Sequence, residues 1–229
     1  MSYDPTLALD LGRIANQAYT DDMTGVIASI SGHVARVIVR QYSGGALVVS
    51  FRGTEPTHIC DWLADFDADM VPHRVSGQAC KVHDGFADTL AEVSAKLDRL
   101  LLSAKPKALY VTGHSLGGAM ALLYAASRSD VTNLYTFGQP RVGNAEFAKL
   151  AGSVLDGKYV RVVNDRDIVP RVPDELLGYH HAGRLVAFDH AGKLTMPAAQ
   201  GGVSFDLVEN VTDHLMTSYL PLLEKMQPR

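Results

Sequence analysis

The stretch from Ala108 to Ala119, Ala-Leu-Tyr-Val-Thr-Gly-His-Ser-Leu-Gly-Gly-Ala, constrains the fold more than any other part of the chain. Its apolar first half predicts a strand, its alanine-rich end begins a predicted helix, and a Gly-x-Ser-x-Gly turn joins the two. Such a turn holds Ser115 in a strained conformation with its hydroxyl projecting outward, and glycines at 113 and 117 remove side chains that would collide with it. This context favours a nucleophilic serine over a plain glycine-rich loop.

The residue after this serine is a candidate for stabilising a reaction intermediate. The N–H of Leu116 lies at the start of the predicted helix, where unpaired backbone donors and the helix dipole favour a negative charge. An oxyanion is the negative charge that forms when a serine attacks an acyl carbonyl. The Ser115–Leu116 pair therefore indicates acyl transfer.

Length and composition indicate one globular domain over residues 1–229. The chain is 47% apolar and 20% charged with a formal net charge of −4, which gives no reason to expect nucleic acid binding. No apolar run approaches the roughly 18 residues of a membrane helix. The first residues lack the basic and apolar regions of a signal peptide, so a cytoplasmic location is expected. Cys60 and Cys80 are too few for a disulfide framework, although they could pair, and no Cys/His spacing predicts a metal site.

Strands alternate with helices through the middle of the chain, which predicts an α/β fold: a mostly parallel sheet with helices on both faces. Ser43-Gly44-Gly45 adds an antiparallel hairpin near the N-terminus. Predicted helices besides the one after Ser115 cover 6–19, 57–66, about 84–105, 145–150 and 214–225. Predicted strands besides the one before Ser115 cover 26–30, 34–41, 46–51, 133–137, 159–163, 185–188 and 193–196.

A serine hydroxyl becomes a good nucleophile when a histidine takes its proton and an acid orients that histidine. Around a turn of this type the chain order is serine, acid, histidine, and the acid follows the carboxyl end of a strand. Asp165 and Asp167 both follow the predicted strand at 159–163, and position alone does not choose between them. Asp174 and Asp189 are less well placed.

Four histidines lie downstream of the serine, and position favours one of them as the base. His214 opens the last predicted helix and is preferred. His180 and His181 follow the candidate acids too closely to reach back, and His190 lies at a predicted hairpin tip. His114 adjoins the serine, but the sharp turn aims neighbouring side chains apart, so a packed structural role is expected.

The predicted helix at 57–66 places Ile59, Trp62 and Leu63 on one apolar side, with aspartates interleaved. Two interpretations are open. The apolar side packs on the core, or it forms a mobile flap over a hydrophobic pocket that opens against a lipid surface.

Six motifs occur in order over most of the chain and form a distinctive set. They are Phe51-Arg-Gly-Thr54, Val82-His-Asp-Gly-Phe86, Gly113-His-Ser-Leu-Gly-Gly118, Tyr135-Thr-Phe-Gly-Gln-Pro-Arg-Val-Gly-Asn144, Asn164-Asp-Arg-Asp-Ile-Val-Pro170 and Gly178-Tyr-His-His181. Together they closely resemble the class 3 lipases, the fungal-lipase-like branch of the α/β-hydrolases. The resemblance implies the α/β-hydrolase fold.

The resemblance also implies a role for each matching residue. Ser115 resembles the nucleophile of the family, and Asp167, directly before Ile-Val-Pro, resembles its acid. His214 after Asp213 is similar to the family's base near the C-terminus. The oxyanion donors implied are the backbone N–H groups of Leu116 and Thr54.

The segment at about 55–69 occupies the lid position of that family, and Trp62 and Leu63 resemble its lid or lid-hinge pattern. His181 aligns with a histidine that is usually structural there. Secreted fungal members have disulfides and a leader that are not seen in this sequence. The chain therefore looks more like the compact, bacterial members.

These observations predict a lipase or esterase that cleaves acyl esters of lipids through an acyl-enzyme. No metal or organic cofactor is expected, and the partners are an ester substrate and, transiently, a lipid–water interface. A phospholipase A1 or a feruloyl-type esterase would share the fold. From another class, an inactive hydrolase-fold binding protein is the alternative.

Overall fold

A computed structural model describes residues 3–54, 68–164, 166–189, 191–195 and 212–228 of the chain. The helices in these ranges are α1 (Pro5–Gln17), α2 (Asp84–Ala104), α3 (Leu116–Ala126), α4 (Ala145–Val154) and α5 (Met216–Lys225). The strands are β1 (Val26–Ser31), β2 (Arg36–Tyr42), β3 (Ala46–Arg52), β4 (Met70–Val75), β5 (Gln78–His83), β6 (Leu109–His114), β7 (Val131–Phe137), β8 (Gly143–Asn144), β9 (Tyr159–Asn164), β10 (Tyr179–His180), β11 (Arg184–Phe188) and β12 (Leu194–Thr195).

A large sheet with strand order β1-β2-β3-β6-β7-β9-β11-β12 carries the fold. The five strands from β3 to β11 in this order run parallel to one another, while β1, β2 and β12 pair antiparallel at the two sides. The mostly parallel sheet and the N-terminal hairpin were both predicted, and both are confirmed. Because parallel strands share one carboxyl edge, the loops after β3, β6, β7 and β9 meet there.

Apolar side chains fill both faces of this sheet. One face packs against α2 and α3 through residues such as Leu97 and Met120, and the other packs against α1 and α5 through residues such as Ile14 and Leu223. Helix α1 begins sharply because the carboxylate of Asp4 accepts the N–H groups of the next turn at 2.9 and 3.0 Å. Helices therefore cover both faces, as predicted.

A second sheet, with strand order β10-β8-β5-β4, is not among the predicted elements. Its hairpin β4–β5 turns at Ser76 and Gly77, which have φ values of 50° and 80°. Pro72 and Arg74 interrupt any apolar alternation in β4, so the strand pattern is weak there. The Ser-Gly pair was the usable signal for this turn.

Several predictions fall outside the described residues. They include the helix at 57–66 with Ile59, Trp62 and Leu63, and with it most of the lid at 55–69. The alternative site residues Asp165 and His190 also lie outside, as does Cys60, so a Cys60–Cys80 pair stays untested. The single domain over 1–229 likewise stays a prediction. Within the described ranges, no helix is long and apolar enough to cross a membrane.

Candidate active site

Ser115 stands alone between the end of β6 and the start of α3, in a strained backbone conformation. Its φ of 60° and ψ of −133° belong to a region that residues other than glycine rarely adopt. A Cβ on residue 113 would run into the Gly117 carbonyl, and a Cβ on Gly117 would run into the Phe51 carbonyl. Both glycines are thus required by close backbone approach, which is what lets the turn fold so tightly.

His214 and Asp167 form a buried pair at the carboxyl edge of the sheet. The His214 Nδ1 lies 2.8 Å from Asp167 Oδ2 and 2.9 Å from Oδ1, and both side chains have zero exposure. Asp167 follows β9, and His214 is helical and is separated from the start of α5 by Leu215 alone. Because the carboxylate faces Nδ1, the proton of a neutral imidazole sits on that atom and Nε2 keeps its lone pair.

Two further groups fix the Asp167 carboxylate. Its Oδ1 accepts the Val169 N–H at 2.9 Å, and its Oδ2 accepts the Tyr219 hydroxyl at 2.5 Å. Burial, followed by the charge of Asp167, raises the pKa of Tyr219 well above its usual value, so the phenol keeps its proton and acts as a donor. The carboxylate is therefore held by three donors, from His214, Val169 and Tyr219.

Gly138, directly after β7, makes room for this pair. It has a φ of 56°, and a Cβ there would lie 2.7 Å from Asp167 Oδ2 and 2.9 Å from His214 Cε1. Gly138 and Tyr219 were not predicted as site residues. A glycine directly after the predicted strand at 133–137 was a usable signal, whereas Tyr219 looks like any other residue on the buried side of a helix.

The reacting atoms expected of this site are buried and unpartnered. Ser115 Oγ and His214 Nε2 are both shielded from solvent, and neither makes a hydrogen bond to the rest of the described chain. The serine–histidine hydrogen bond is thus not formed in this structure. Leaving such atoms unpaired costs about 1–3 kcal/mol each, which calls for a functional explanation.

The two expected oxyanion donors flank the serine. Leu116 is the first residue of α3, where the helix offers its N–H no acceptor, and Ser115 provides no side-chain cap. Thr54 follows β3 at the same edge and lines a cavity of about 100 Å³ together with His114 and Leu215. The five residues predicted as catalytic or oxyanion-binding therefore all lie at the carboxyl edge of the sheet: Ser115, Asp167, His214, Thr54 and Leu116.

Three of the other candidates make contacts outside the proposed triad. The His181 ring lies with Nε2 2.7 Å from the Pro170 carbonyl, and burial holds its pKa well below the usual value. Asp174 caps a short 3₁₀ turn, Glu175–Leu177, and Asp189 accepts two N–H groups within the β11–β12 hairpin. Among the described residues, no group of histidines, cysteines or carboxylates could hold a metal ion.

Comparison with known proteins gives a family and a set of relatives. A family model described as Lipase (class 3) matches residues 48–177. A lipase of Rhizomucor miehei is 41% identical over 160 residues, which make up 64% of this chain and 43% of that protein. A protein of Fusarium solani named secreted mono- and diacylglycerol lipase 1 is 36% identical over 167 residues, 69% of this chain and 47% of that protein. The chain thus spans less than half the length of these two relatives.

One solved structure extends the likeness to the whole fold. It is a triacylglycerol lipase whose catalytic centre is described as a serine protease triad, and it matches with a TM-score of 0.73 and 28% identity over 94% of each chain. The predicted α/β-hydrolase fold is confirmed by this match. The two sequence relatives above are fungal, so they do not support the predicted bacterial origin, which stays a prediction.

Proposed function

The chain belongs to the class 3 lipase family, and from that premise we propose that it is a serine carboxylic ester hydrolase acting on acyl esters of lipids. One observation carries the proposal. Ser115 sits at a strained strand–helix turn with an unpartnered hydroxyl, at the same sheet edge as a His214–Asp167 pair whose Nε2 is also unpartnered. A nucleophile, a base and an orienting acid are the parts that acyl transfer needs.

The reaction proceeds through an acyl-enzyme. His214 Nε2 takes the proton of Ser115 as Oγ attacks the ester carbonyl, and Asp167 holds the imidazolium that forms. The N–H groups of Leu116 and Thr54 bind the developing oxyanion. The protonated His214 then gives its proton to the leaving alcohol, and a water molecule repeats the sequence to release the acid.

The burial of the site bears on substrate entry. Ser115, Asp167 and His214 have zero exposure, so an ester reaches Oγ only after some of the surrounding chain moves. This supports the lid proposed at 55–69, with Ile59, Trp62 and Leu63 as its substrate-facing residues. A dry site also strengthens each hydrogen bond to the oxyanion.

The test of the nucleophile compares two serines at the two ends of α3. Ser115→Ala should lower the turnover of a short-chain p-nitrophenyl ester by about four orders of magnitude or more. Ser127→Ala, which alters the serine directly after α3, should leave turnover unchanged. Full turnover in the Ser115→Ala protein would overturn the proposal.

The test of the base compares two buried histidines. His214→Ala should nearly abolish hydrolysis because no other group then accepts the Ser115 proton. His181→Ala should chiefly lower the melting temperature because its ring only supports the Pro170 carbonyl. The reverse pattern would assign the base to His181 instead.

Contact with a lipid–water interface has a candidate surface in the segment that follows Asp167 in the chain. Leu176 and Leu177 are 95% and 58% exposed in the second 3₁₀ turn after Asp167, Glu175–Leu177. Leu102, 76% exposed near the end of α2, lies towards the opposite edge of the sheet and serves as a matched control. We expect a rise in rate above the solubility limit of the ester, and we expect Leu176→Ser/Leu177→Ser, but not Leu102→Ser, to weaken it.

A substrate panel separates the alternatives. Triacylglycerols, phospholipids and feruloyl esters distinguish a lipase from a phospholipase A1 and a feruloyl-type esterase. A binding protein without activity would hydrolyse none of them. The predicted cytoplasmic location stays a prediction, since one relative is named as secreted.

A further inference from the structure

Behind the proposed triad, a chain of hydrogen bonds joins three distant segments. The Gly53 N–H lies 3.0 Å from the Tyr19 hydroxyl, and that hydroxyl lies 2.9 Å from His114 Nδ1. The His114 Nε2 in turn lies 2.6 Å from the His214 carbonyl oxygen. The hydrogen-bond chain connects all three parts of the proposed site. Gly53 directly precedes the oxyanion donor Thr54, His114 directly precedes the nucleophile Ser115, and His214 is the proposed base.

The protons in this chain have one consistent arrangement. A carbonyl oxygen only accepts, so the proton of His114 sits on Nε2 and points at His214. Burial, and after it the neighbouring His214, hold the pKa of His114 well below its usual value, so the ring is neutral and Nδ1 is bare. The Tyr19 hydroxyl must then donate to Nδ1, and it accepts the Gly53 N–H. Its proton is not available to the His114 carbonyl, 3.3 Å away.

The packing around these groups leaves little freedom. His114 is 3% exposed, and its ring lies against that of His214 at a centroid distance of 4.5 Å, with the two planes tilted by 32°. A Cβ on Gly53 would lie 2.6 Å from the Tyr19 hydroxyl and 2.6 Å from the His114 carbonyl. Only glycine therefore lets the loop before Thr54 come this close to Tyr19.

We propose that Tyr19 and His114 are positioning residues that set the oxyanion loop and the base at a fixed distance on either side of Ser115. This inference rests on the proposed ester hydrolysis. Asp167 fixes the ring of His214 through Nδ1, and His114 fixes its main chain through the carbonyl, so two anchors determine where Nε2 lies. On the other side, Tyr19 fixes the main chain that presents the Thr54 N–H.

The neutral state of His114 has a consequence for the reaction. When His214 takes the proton of Ser115, it becomes a cation next to the ring of His114. A second cation at 4.5 Å would oppose this step, and a neutral ring does not. The N–H group of His114, which is the positive end of its dipole, also points at the His214 carbonyl rather than at the His214 ring.

Tyr19→Phe tests the chain by removing one hydroxyl. It leaves the Gly53 N–H and His114 Nδ1 without their partner, so we expect kcat to fall about 10- to 100-fold with little change in KM. The rate of covalent labelling by a fluorophosphonate should fall by a similar factor, since labelling needs the same base and oxyanion donors. Tyr124→Phe is the matched control, because it removes a hydroxyl hydrogen bond to Asp98 at the far end of α3.

His114→Asn and His114→Gln separate the two hydrogen bonds that His114 makes, to Tyr19 and to the His214 carbonyl. They also test the proposal if Tyr19→Phe does not fold. Asparagine places a polar atom near the Nδ1 position and keeps the Tyr19 contact, while glutamine places an amide nitrogen near Nε2 and keeps the His214 contact. Each should retain more activity than His114→Ala. Both rescues are expected from a positioning role, whereas a residue that only fills space would give similar activity in all three variants.

The outcomes separate this inference from the proposed function. If the unmodified protein hydrolyses no ester, or if Ser115→Ala hydrolyses as well as it does, the proposed function fails. If Ser115→Ala is inactive but Tyr19→Phe keeps the kcat of the unmodified protein, the hydrogen-bond chain has no positioning role and only this inference fails. A parallel loss in Tyr124→Phe would likewise overturn it.

Discussion

The two ends of α3 differ in whether their polar side chains have hydrogen-bond partners. At its first turn, Ser115 is strained and its buried hydroxyl has no partner. At its last turn, the Tyr124 hydroxyl donates to Asp98 at 2.7 Å, and Arg128 bonds Tyr124, Asp98 and Asp130 while lying over the Tyr124 ring. The same helix therefore has a hydrogen-bonded polar cluster at its last turn and an unpartnered hydroxyl at its first, the turn where we propose that a proton moves.

Ser115→Ala should produce the largest effect, and its two consequences should oppose each other. Hydrolysis should be lost by about four orders of magnitude or more. The melting temperature should stay or rise, because the variant removes a buried hydroxyl that has no partner. Differential scanning calorimetry beside the ester assay measures both. A clear fall in melting temperature would mean that the hydroxyl is bonded after all.

Ser127→Ala, at the other end of α3, should have the opposite pattern: a loss of stability with no loss of activity. Its hydroxyl donates to the Tyr124 carbonyl at 2.7 Å, so its removal should cost about 1 kcal/mol of the free energy of unfolding. Turnover should not change. A loss of turnover comparable to that of Ser115→Ala would abolish the contrast between the two ends.

Tyr219→Phe should have the next largest effect on activity. The phenol donates to Asp167 Oδ2 at 2.5 Å, and a hydrogen bond to a charged group is worth about 1.5–3 kcal/mol. If that energy holds the acid in place for His214, kcat should fall about 10- to 100-fold. Steady-state kinetics tests this, with Tyr124→Phe as control. An unchanged kcat would show that Val169 and His214 suffice to hold Asp167.

The pH dependence of stability should come largely from two buried histidines, of which His114 lies at the site end of α3. His114 and His181 have pKa values held well below the usual value by burial, so the folded state excludes protons that the unfolded state binds below about pH 6.5. Their contribution is complete above that pH and is lost as the pH falls. Between pH 7.5 and 5.0, the protonation of each histidine should lower the free energy of unfolding by about 2 kcal/mol.

Urea unfolding at these two pH values measures the effect, and His114→Gln isolates the share of one residue. The variant should lose about 2 kcal/mol less than the unmodified protein over this interval. An identical loss in both proteins would mean that His114 takes up its proton in the folded state. That result would also remove the basis for a bare Nδ1, whereas the Nε2 proton would still follow from the carbonyl that it faces.

Tyr124→Phe should have the smallest effect. It removes the hydrogen bonds that join the buried phenol to Asp98 and Arg128, so it should lower the free energy of unfolding by about 1 kcal/mol and leave kcat unchanged. Chemical denaturation and the ester assay together check it. A fall in kcat would show that the two ends of α3 are coupled rather than independent.

The same contrast explains what could be predicted from the sequence. Ser115, Asp167 and His214 could be predicted as site residues because a tight turn, the end of a strand and a late histidine leave local marks in the chain, and their catalytic roles stay a prediction. The sheet was found because β-branched and aliphatic runs repeat through its strands. Each of these predictions depends on neighbours in sequence.

The unpredicted parts depend on neighbours in space. Tyr219 is buried and Tyr19 half-buried, at positions where another large residue would fit the pattern, and only the fold brings their hydroxyls to Asp167 and His114. The sheet of β4, β5, β8 and β10 was missed because two of its strands are two residues long and Pro72 and Arg74 mask a third.

Covalent labelling of the folded protein tests the central claim most directly. A fluorophosphonate should add one phosphonyl group, and peptide mass spectrometry should place it on Ser115 within residues 108–128, a tryptic peptide that also contains Ser127 as an internal control. Labelling should vanish after denaturation and in His214→Ala. An adduct on Ser127 or on any other serine, no adduct at all, or labelling of His214→Ala at the rate of the unmodified protein would contradict the account.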